Sequence, residues 1–363
     1  DAAALGFDRM IVPASEVAAV REVAEIGVIG VSHLRELPRA LSEAPAGPVP
    51  VPAPGRSRRG LDAREAARRL LEVRGQHRAR RALLIAAAGG HGLVLQGPPG
   101  CGKTMLARRL VDLLPDLDQQ TSRVCRRIRS SAGLVADADP RPPLRAPHHT
   151  VSAVGLIGGG RPLRPGEITL AHGGVLLLDE IAEFGARRLD RLREPLSEGR
   201  IELARVGERV VLPARFQLVG TANPCPCGWA GSHLERCRCT EKAVERYRSR
   251  LSGPLRDRID LWVDMDREPA DELFDREDLD TLADQIERAR GVRRLGRDGI
   301  EATDRPLEED ARALVTAVAD RRGLSARALV RGLEVAMTIA RLDGRRTIAR
   351  RHLAEAFTYR AER

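Results

Sequence analysis

The chain carries, at residues 97 to 104, the stretch Gly97-Pro98-Pro99-Gly100-Cys101-Gly102-Lys103-Thr104, which fits the pattern Gly-x-x-x-x-Gly-Lys-[Ser/Thr]. Residues 92–96 before it are typical of a short buried strand, and residues 104–114 after it are typical of a helix. This order brings backbone N–H groups and a helix N-terminus to one point, where they can bind phosphate. The Lys103 ammonium would reach the terminal phosphates, and the Thr104 hydroxyl would ligate magnesium. The stretch therefore predicts a nucleoside-triphosphate site that uses Mg²⁺.

A second motif follows about 75 residues further along, where the mostly apolar run 172–178 ends in Asp179 and Glu180. Such a run is typical of a strand that is buried on both faces of a parallel sheet. At its carboxyl end, Asp179 would hold magnesium through water and Glu180 would polarise the attacking water. An apolar strand followed by two acids is common and by itself is weak evidence for a nucleotide site. It becomes strong evidence because a phosphate loop lies upstream. Together the two motifs predict hydrolysis of ATP, not binding alone.

The length and the hydropathy of the chain restrict its class. Its 363 residues can bury a full core, and two compact units are the natural expectation. It has no run of 18 apolar residues and no N-terminal pattern of a signal peptide, which predicts a cytoplasmic protein without membrane contact. Asp1 is not a natural start, so we expect a fragment of a longer chain.

The charge balance bears on possible partners. The net charge is +10 and the pI is about 10.2, which favours a polyanionic partner through counterion release. However, the 61 basic residues are interleaved with 51 acids, so solvated helix faces are an alternative explanation of the excess. Aromatic residues make up only 2% of the chain, which argues against a base-stacking platform. We therefore expect any contact with DNA to run through the phosphate backbone.

The pattern along the chain predicts four segments. Residues 1–41 hold a short helix-like pattern at 15–24 and an apolar strand candidate at 26–31, as in the tail of another domain. The Pro- and Arg-rich residues 42–60 are typical of an extended linker. Strands alternate with helices over residues 61–268, which predicts an α/β core with a parallel sheet. Residues 269–363 have four amphipathic helical segments and no strand pattern. They predict a small all-helical lid.

With phosphate loop, acidic strand and helical lid in this order, the chain resembles an AAA+ ATPase. Five further motifs resemble the magnesium-chelatase-like branch, and within it the ComM/YifB family: RAPHHT (145–150), GLIGGG (155–160), RPGEI (164–168), LREPL (192–196) and TANPCPCG (221–228). The similarity extends over nearly all of residues 5–360. Members of that family are DNA branch-migration helicases linked to natural transformation. The resemblance thus implies a homo-hexameric ring that hydrolyses ATP and acts on DNA.

The resemblance also implies three roles around the nucleotide. Asn223 matches the first sensor, which orients the hydrolytic water, although an ordinary turn asparagine is the alternative. Arg258 matches the arginine finger that reaches the nucleotide of the adjoining subunit, with Arg256 and Arg250 as rivals. Arg327 matches the second sensor on the lid, where a solvated helix face is the alternative.

The resemblance also implies that two segments, which are absent from a minimal nucleotide-binding core, project into the pore of the ring. They are residues 150–168 and residues 200–213, and the second alternates apolar and polar residues as a β-hairpin does. In the family such loops bind DNA, which makes four arginines candidate backbone contacts: Arg161, Arg164, Arg205 and Arg209. Isolated surface arginines are the competing interpretation.

Four of the six cysteines are clustered in the sequence, at Cys225, Cys227, Cys237 and Cys239. Their number and clustering fit a tetrathiolate Zn²⁺ site, but each pair has one residue between the sulfurs where structural zinc sites usually have two to four. Disulfides are a competing interpretation that a cytosolic ATPase disfavours. Reduced thiols without metal are a third.

Several other functions compete with a DNA motor. A metal-chelatase motor subunit shares the same core, but the cysteine pairs and the preceding tail argue against it. A protein-remodelling ATPase fits a motor that is indifferent to DNA. A Lon-like protease is suggested by the tail, of which too little is present to hold a catalytic serine and lysine. A nucleotide switch without turnover is disfavoured by Glu180 and the candidate finger.

Overall fold

The structure is a computed structural model that describes residues 6–14, 17, 20, 26–42, 60–134, 139–205, 208–232, 235–268, 278–295, 306–322 and 325–360. The chain divides into two compact units, Asp1–Arg59 with Leu117–Arg141, and Gly60–Asp116 with Pro142–Arg363. Most of the helix expected near residues 15–24 and residues 43–59 of the predicted linker lie outside the described residues. Among the described residues, no helix is long and apolar enough to cross a membrane.

The described strands and helices are numbered separately, each in chain order. The strands are β1 (Arg9–Pro13), β2 (Gly27–Val31), β3 (Leu93–Gln96), β4 (Leu144–Arg145), β5 (Gly158–Gly159), β6 (Arg164–Pro165), β7 (Val175–Leu178), β8 (Arg200–Arg205), β9 (Glu208–Pro213), β10 (Gln217–Ala222) and β11 (Leu261–Asp264). The helices are α1 (Leu37–Ser42), α2 (Ala63–Leu70), α3 (His77–Gly89), α4 (Lys103–Leu113), α5 (Gln119–Ser131), α6 (Ala153–Ile157), α7 (Glu167–Leu170), α8 (Ala186–Leu189), α9 (Arg193–Glu198), α10 (Glu241–Arg248), α11 (Gly253–Arg256), α12 (Leu279–Arg294), α13 (Glu309–Arg322), α14 (Ala326–Leu342) and α15 (Arg350–Thr358). Short 3-10 helices span Leu34–Glu36, Ile181–Phe184 and Asp190–Leu192.

The smaller unit contains a two-stranded parallel sheet of β1 and β2, in which Ile11 pairs with Ile29. The strand expected at residues 26–31 is therefore confirmed. The same unit contains helix α5, whose first turn is capped by the Asp118 side chain as it accepts a hydrogen bond from the Thr121 N–H.

The larger unit is built on a five-stranded parallel sheet with the order β11-β3-β10-β7-β4. Every residue of β7 and of β10 is buried, as expected for parallel strands with a covered face on each side. The predicted α/β class is thus confirmed. Gln96 pairs with Ala222, and Gly220 with Leu178, so β3, β10 and β7 end at the same edge of the sheet. The phosphate loop, Asn223 and the acidic pair follow these three strands.

Helices cover both faces of this sheet. One apolar cluster contains buried residues of α2, α3 and α4 together with residues of α12, α14 and α15, and a second lies under β7, β10 and α10. The four helices expected in the C-terminal segment are confirmed, and α12 packs against α2 and α3. The predicted boundary of the lid after residue 268 adjoins residues 269–277, which are outside the described residues. A separate lid therefore stays a prediction.

A buried carboxylate, Asp260, joins the sheet to helix α14. It is 1% exposed, and it accepts hydrogen bonds from the Gly92 N–H at 2.8 Å and from Arg331 Nη1 at 2.7 Å. His91 Nδ1 lies 3.6 Å from its Oδ2 atom. Burial alone would raise the pKa of Asp260, but the His91 ring and the Arg331 guanidinium outweigh it and hold this pKa well below the usual range. Asp260 is therefore an ionised anchor for α14, next to the strand that leads to the phosphate loop.

We expect Asp260→Asn to lower the free energy of unfolding by about 3–5 kcal/mol at pH 7, because the substitution leaves Arg331 half-buried without its counter-charge. Since the folded pKa is depressed, this stabilisation is present above the ordinary aspartate pKa of about 3.9 and is lost as the pH falls below it. Urea unfolding between pH 7 and pH ~2 measures both effects. Asp264→Asn, at an exposed carboxylate, is the control, and equal losses in the two variants would contradict the anchor.

Candidate nucleotide and magnesium site

The phosphate loop connects β3 to α4 at the carboxyl edge of the sheet. The Gly97 N–H donates to the Ala222 carbonyl at 3.1 Å, which ties the start of the loop to β10. A Cβ atom at Gly97 would lie 2.2 Å from the Met265 carbonyl oxygen, so only glycine fits there. Gly102 precedes α4 with φ of +87°, a conformation that side chains disfavour. The glycines of the predicted motif are thus required by this backbone path.

Lys103 is the first residue of α4 and is 8% exposed. Its Nζ atom donates to the carbonyl oxygens of Gly97 at 2.8 Å and Pro98 at 2.7 Å. Burial lowers the pKa of Lys103, while the nearby Asp179 and Glu180 carboxylates oppose that shift. The structure therefore brings Lys103 close to both acids, as the sequence predicts.

The predicted magnesium ligands are in direct contact. Thr104 Oγ1 donates to Asp179 Oδ1 at 2.7 Å. A hydroxyl and a carboxylate oxygen side by side, near a loop that can bind phosphates, are the ligand types that Mg²⁺ uses in nucleotide sites. These two residues fit a magnesium ion by the chemistry of their donor atoms.

Glu180 has a left-handed backbone, with φ of +51° and ψ of +53°. Its N–H donates to Thr221 Oγ1 at 2.8 Å. A non-glycine residue in this region costs about 1–3 kcal/mol and is found mainly where function requires it. The conformation turns the chain directly after β7 and sets the direction in which Glu180 leaves the sheet edge.

Thr221, a residue without a predicted role, lies at the centre of this arrangement. Thr221 lies on β10 and is 1% exposed. Its Oγ1 atom donates to Asp179 Oδ1 at 2.6 Å and accepts from the Glu180 N–H. One hydroxyl thus orients both acids. In the sequence, Thr221 stands out only by its position two residues before Asn223. Threonine is common inside strands, so this position did not indicate a functional role.

We expect Thr221→Val to weaken magnesium-dependent ATP hydrolysis by about 10–100-fold, the usual effect of removing a group that orients a metal ligand. Valine keeps the shape and loses both hydrogen bonds. A magnesium titration of the ATPase rate measures the change. Thr169→Val is the matched control, because the Thr169 hydroxyl is fully buried and, among the described residues, has no hydrogen-bond partner. Identical magnesium dependence in the two variants would contradict the role of Thr221.

Asn223 directly follows β10 and is half-buried at the same edge of the sheet. A backbone hydrogen bond links it to Tyr247 of α10, whose pKa burial raises to about 12. The residue before Asn223, Ala222, is bonded to the phosphate loop, and Asn223 itself is bonded to the buried Tyr247. This position agrees with the role that the resemblance implies, and the role itself stays a prediction.

Arg258 belongs to a different group of side chains, which we name the arginine cluster: Arg193, Arg258, Arg327 and Arg331. Arg258 Nε donates to Ser197 Oγ and Nη1 donates to the Pro254 carbonyl, each at 2.8 Å. Burial and the charges of the other three arginines lower the pKa of Arg258. The structure thus brings the predicted finger and the predicted second sensor, Arg327, near each other, with their described contacts on α9, α11 and α14.

The two rival finger residues have other contacts. Arg250 Nη1 pairs with Glu183 at 2.8 Å, and its guanidinium lies 5.3 Å from the centroid of the Tyr247 ring. The Arg256 guanidinium lies 5.4 Å from the centroid of the Trp262 ring. Arg258 also has described contacts, so the assignment of the finger to Arg258 stays a prediction.

Each of the two predicted inserts contains a hairpin, and the two hairpins lie beside each other. Antiparallel β5 and β6 form one, and antiparallel β8 and β9, with Leu203 paired to Val210, form the other as predicted. A cavity of 440 Å³ is lined by both hairpins and by α9.

The four candidate DNA contacts lie on these hairpins or between their strands. Arg161 and Arg164 are exposed, and exposed Arg209 pairs with Glu202 across its own hairpin. Arg205 lies on β8, and its side chain is outside what the structure describes. The DNA contacts stay predictions.

The clustered cysteines come together in space. All six cysteines are described, and none of them forms a disulfide. The sulfurs of four lie within 4.8 Å of one another: Cys225, Cys227, Cys237 and Cys239. The prediction that these four residues form one group is therefore consistent with the structure.

Comparison with known proteins gives the family. The family described as magnesium chelatase, subunit ChlI, matches residues 69–273, and its C-terminal family matches residues 281–360. The uncharacterized protein YifB of Escherichia coli is 42% identical over 307 residues, which cover 80% of this chain and 60% of YifB. The competence protein ComM of Haemophilus influenzae is 40% identical over 309 residues, which cover 80% of this chain and 60% of ComM.

A third relative, the uncharacterized protein Rv2897c of Mycobacterium tuberculosis, is 39% identical over 374 residues, 98% of this chain and 73% of the relative. The chain spans about 60% of the length of YifB and ComM. Because the ChlI family matches more than half of the chain and these relatives are 39–42% identical to it, the chain belongs to the magnesium-chelatase-like family of AAA+ ATPases, together with ComM and YifB.

Proposed function

We propose that this chain is the ATP-hydrolysing portion of a homo-hexameric ring motor that acts on DNA in the cytoplasm, with Mg²⁺ as its cofactor. The observation that supports hydrolysis is the contact between Thr104 and Asp179 beside Lys103, with Glu180 held next to them by Thr221. These are the groups that position a triphosphate, its metal ion and an attacking water.

The residues would divide the chemistry among themselves. Lys103 exchanges its carbonyl acceptors for phosphate oxygens, which carry more negative charge. Thr104 would ligate Mg²⁺ and Asp179 would hold it through water, and the ion would supply positive charge to the terminal phosphates. Glu180 accepts a proton from the attacking water, and Asn223 orients that water.

The arginine cluster supports assembly into a ring. Burial and the repulsion between neighbouring guanidinium groups lower the pKa of Arg258, and an anion brought to these groups would relieve the repulsion. In a ring this anion is the triphosphate of the adjoining subunit. Arg258 and Arg327 would then act in trans, on a site whose other half is the neighbour's phosphate loop.

DNA is the proposed substrate of the motor, which would carry out branch migration in recombination or transformation. Supporting observations are the net charge of +10, the exposed Arg161 and Arg164 in the hairpin of β5 and β6, and the similarity to a protein named for competence. A metal-chelatase motor subunit is the second candidate, favoured by the ChlI family matches, and a protein-remodelling motor is the third.

The ATPase rate with forked, four-way or no DNA decides between these candidates. We expect stimulation by branched DNA that falls as salt rises. Arg161→Gln/Arg164→Gln should reduce the stimulation, whereas Arg345→Gln/Arg346→Gln removes two exposed charges from elsewhere and should not. Indifference to every DNA would reject the DNA motor and favour the chelatase or protein-remodelling motor.

A further inference from the structure

We propose that Cys225, Cys227, Cys237 and Cys239 bind one structural zinc ion, and that this site braces the phosphate loop. The zinc site stands independently of ATP chemistry. Only its effect on nucleotide binding rests on the proposed function.

The distances between the sulfurs fit a tetrahedral ion. Cys225 Sγ lies 3.4 Å from Cys227 Sγ and 3.7 Å from Cys237 Sγ, and the sulfurs of Cys227 and Cys237 are 3.6 Å apart. With Zn–S bonds of about 2.3 Å, the edge of a zinc tetrahedron is about 3.8 Å. A disulfide needs about 2.05 Å, so these three separations are those of ligands around a centre and not of bonded pairs.

The first pair of cysteines has only one residue between its members, and a turn accommodates this short spacing. Gly228 N–H donates to the Cys225 carbonyl at 3.0 Å, and Gly228 has φ of +85°, so the chain reverses directly after Cys227. The reversal lets both sulfurs of the first pair point to one centre. The second pair reaches the same centre from ten to fourteen residues further on.

Backbone donors prepare the thiols for a cation. The Ala230 N–H donates to Cys225 Sγ at 3.3 Å. A donor at sulfur stabilises the thiolate, which is the form that binds a metal ion. Four thiolates around Zn²⁺ carry a net charge of −2, and exposed Arg236 and Arg238, which alternate with the second cysteine pair, offset it.

The chemistry of four sulfurs selects the ion. Soft thiolates favour Zn²⁺ or iron over Mg²⁺, and four protein ligands leave no position open for water. The site is therefore structural and not catalytic. All four ligands come from one loop that follows β10, so a bound ion would close that loop on itself.

The same loop contacts the nucleotide site. A Cβ atom at Gly228 would lie 2.6 Å from Pro99 Cδ of the phosphate loop, so the two backbones are closely packed. Cys225 is two residues beyond Asn223. An ion that fixes the cysteine loop therefore fixes one wall of the phosphate loop and the position of Asn223.

Metal content of the purified chain, measured by elemental mass spectrometry, tests the site. We expect one zinc per chain, lost in Cys237→Ser and in Cys239→Ser. Cys125→Ser is the control, because burial raises the pKa of that thiol to about 11 and it lies in the other compact unit. Replacement of the zinc by Co²⁺ should give the visible bands of a tetrahedral thiolate complex. Absence of metal after incubation with Zn²⁺, iron in its place, or a disulfide seen by peptide mass spectrometry would each overturn the zinc site.

Binding of a fluorescent ATP analogue tests the brace. We expect about tenfold weaker binding in Cys239→Ser and in chelator-treated protein, restored in the latter by Zn²⁺. Unchanged affinity after zinc loss would overturn the brace and leave the metal site standing. No binding by the unaltered chain, with zinc present, would instead reject the proposed ATP site.

Discussion

Glu180→Gln should bind ATP and magnesium as tightly as the unaltered chain and lose about 10²–10⁴-fold of its hydrolysis rate. Glutamine keeps the size of the side chain and, through the same backbone N–H to Thr221, its position. What it loses is the carboxylate that accepts the proton of the attacking water. Equilibrium binding of ATP and single-turnover hydrolysis separate the two effects.

Glu183→Gln is the matched control for this substitution. Glu183 is exposed three residues further along and pairs with Arg250 on the surface, where an ion pair contributes at most about 1 kcal/mol. Its replacement should leave hydrolysis almost unchanged. Normal turnover in Glu180→Gln would show that another group activates the water and would remove Glu180 from the mechanism.

Arg258→Ala should reduce hydrolysis by about 10³-fold or more while the subunit still binds ATP, because an arginine finger stabilises charge that develops only in the transition state. Mixing this variant with Lys103→Ala subunits should restore part of the activity. In such a ring, an Arg258→Ala subunit has an intact phosphate loop and can receive Arg258 from its Lys103→Ala neighbour. Steady-state ATPase rates across a series of mixing ratios measure this complementation.

Arg256→Ala distinguishes the finger from its neighbour. Arg256 lies over the Trp262 ring, so its loss should affect stability more than turnover. An equal loss of turnover in Arg256→Ala and Arg258→Ala would leave the finger unassigned between them. Failure of every mixing ratio to restore activity would contradict action across a subunit interface.

Local features of the site were predictable because the chain itself carries the required geometry. The phosphate loop needs glycines at fixed places between a strand and a helix, and all of these elements lie within about 25 consecutive residues. The acidic strand and the hairpin of residues 200–213 follow from hydrophobic periodicity in the same way. Backbone preference and the alternation of buried and exposed positions depend on a few neighbouring residues, so the local amino-acid pattern predicts them.

Contacts between distant segments could not be read from such patterns. Thr221 meets Asp179, 42 residues before it, because β10 and β7 are neighbours in the sheet. Arg331 meets Asp260 because α14 packs on the side of the sheet where β3 begins, and this also brings Arg327 towards Arg258.

By itself, then, the sequence determined the phosphate loop, the acidic pair, the parallel α/β class and the four C-terminal helices. Tertiary structure alone decided that one threonine orients both acids, that a buried aspartate anchors α14, and that the cysteine loop lies against Pro99. The physical reason is that backbone conformation and amphipathicity are local properties of a chain. Which side chains touch depends on strand order and packing, which only the whole folded unit specifies.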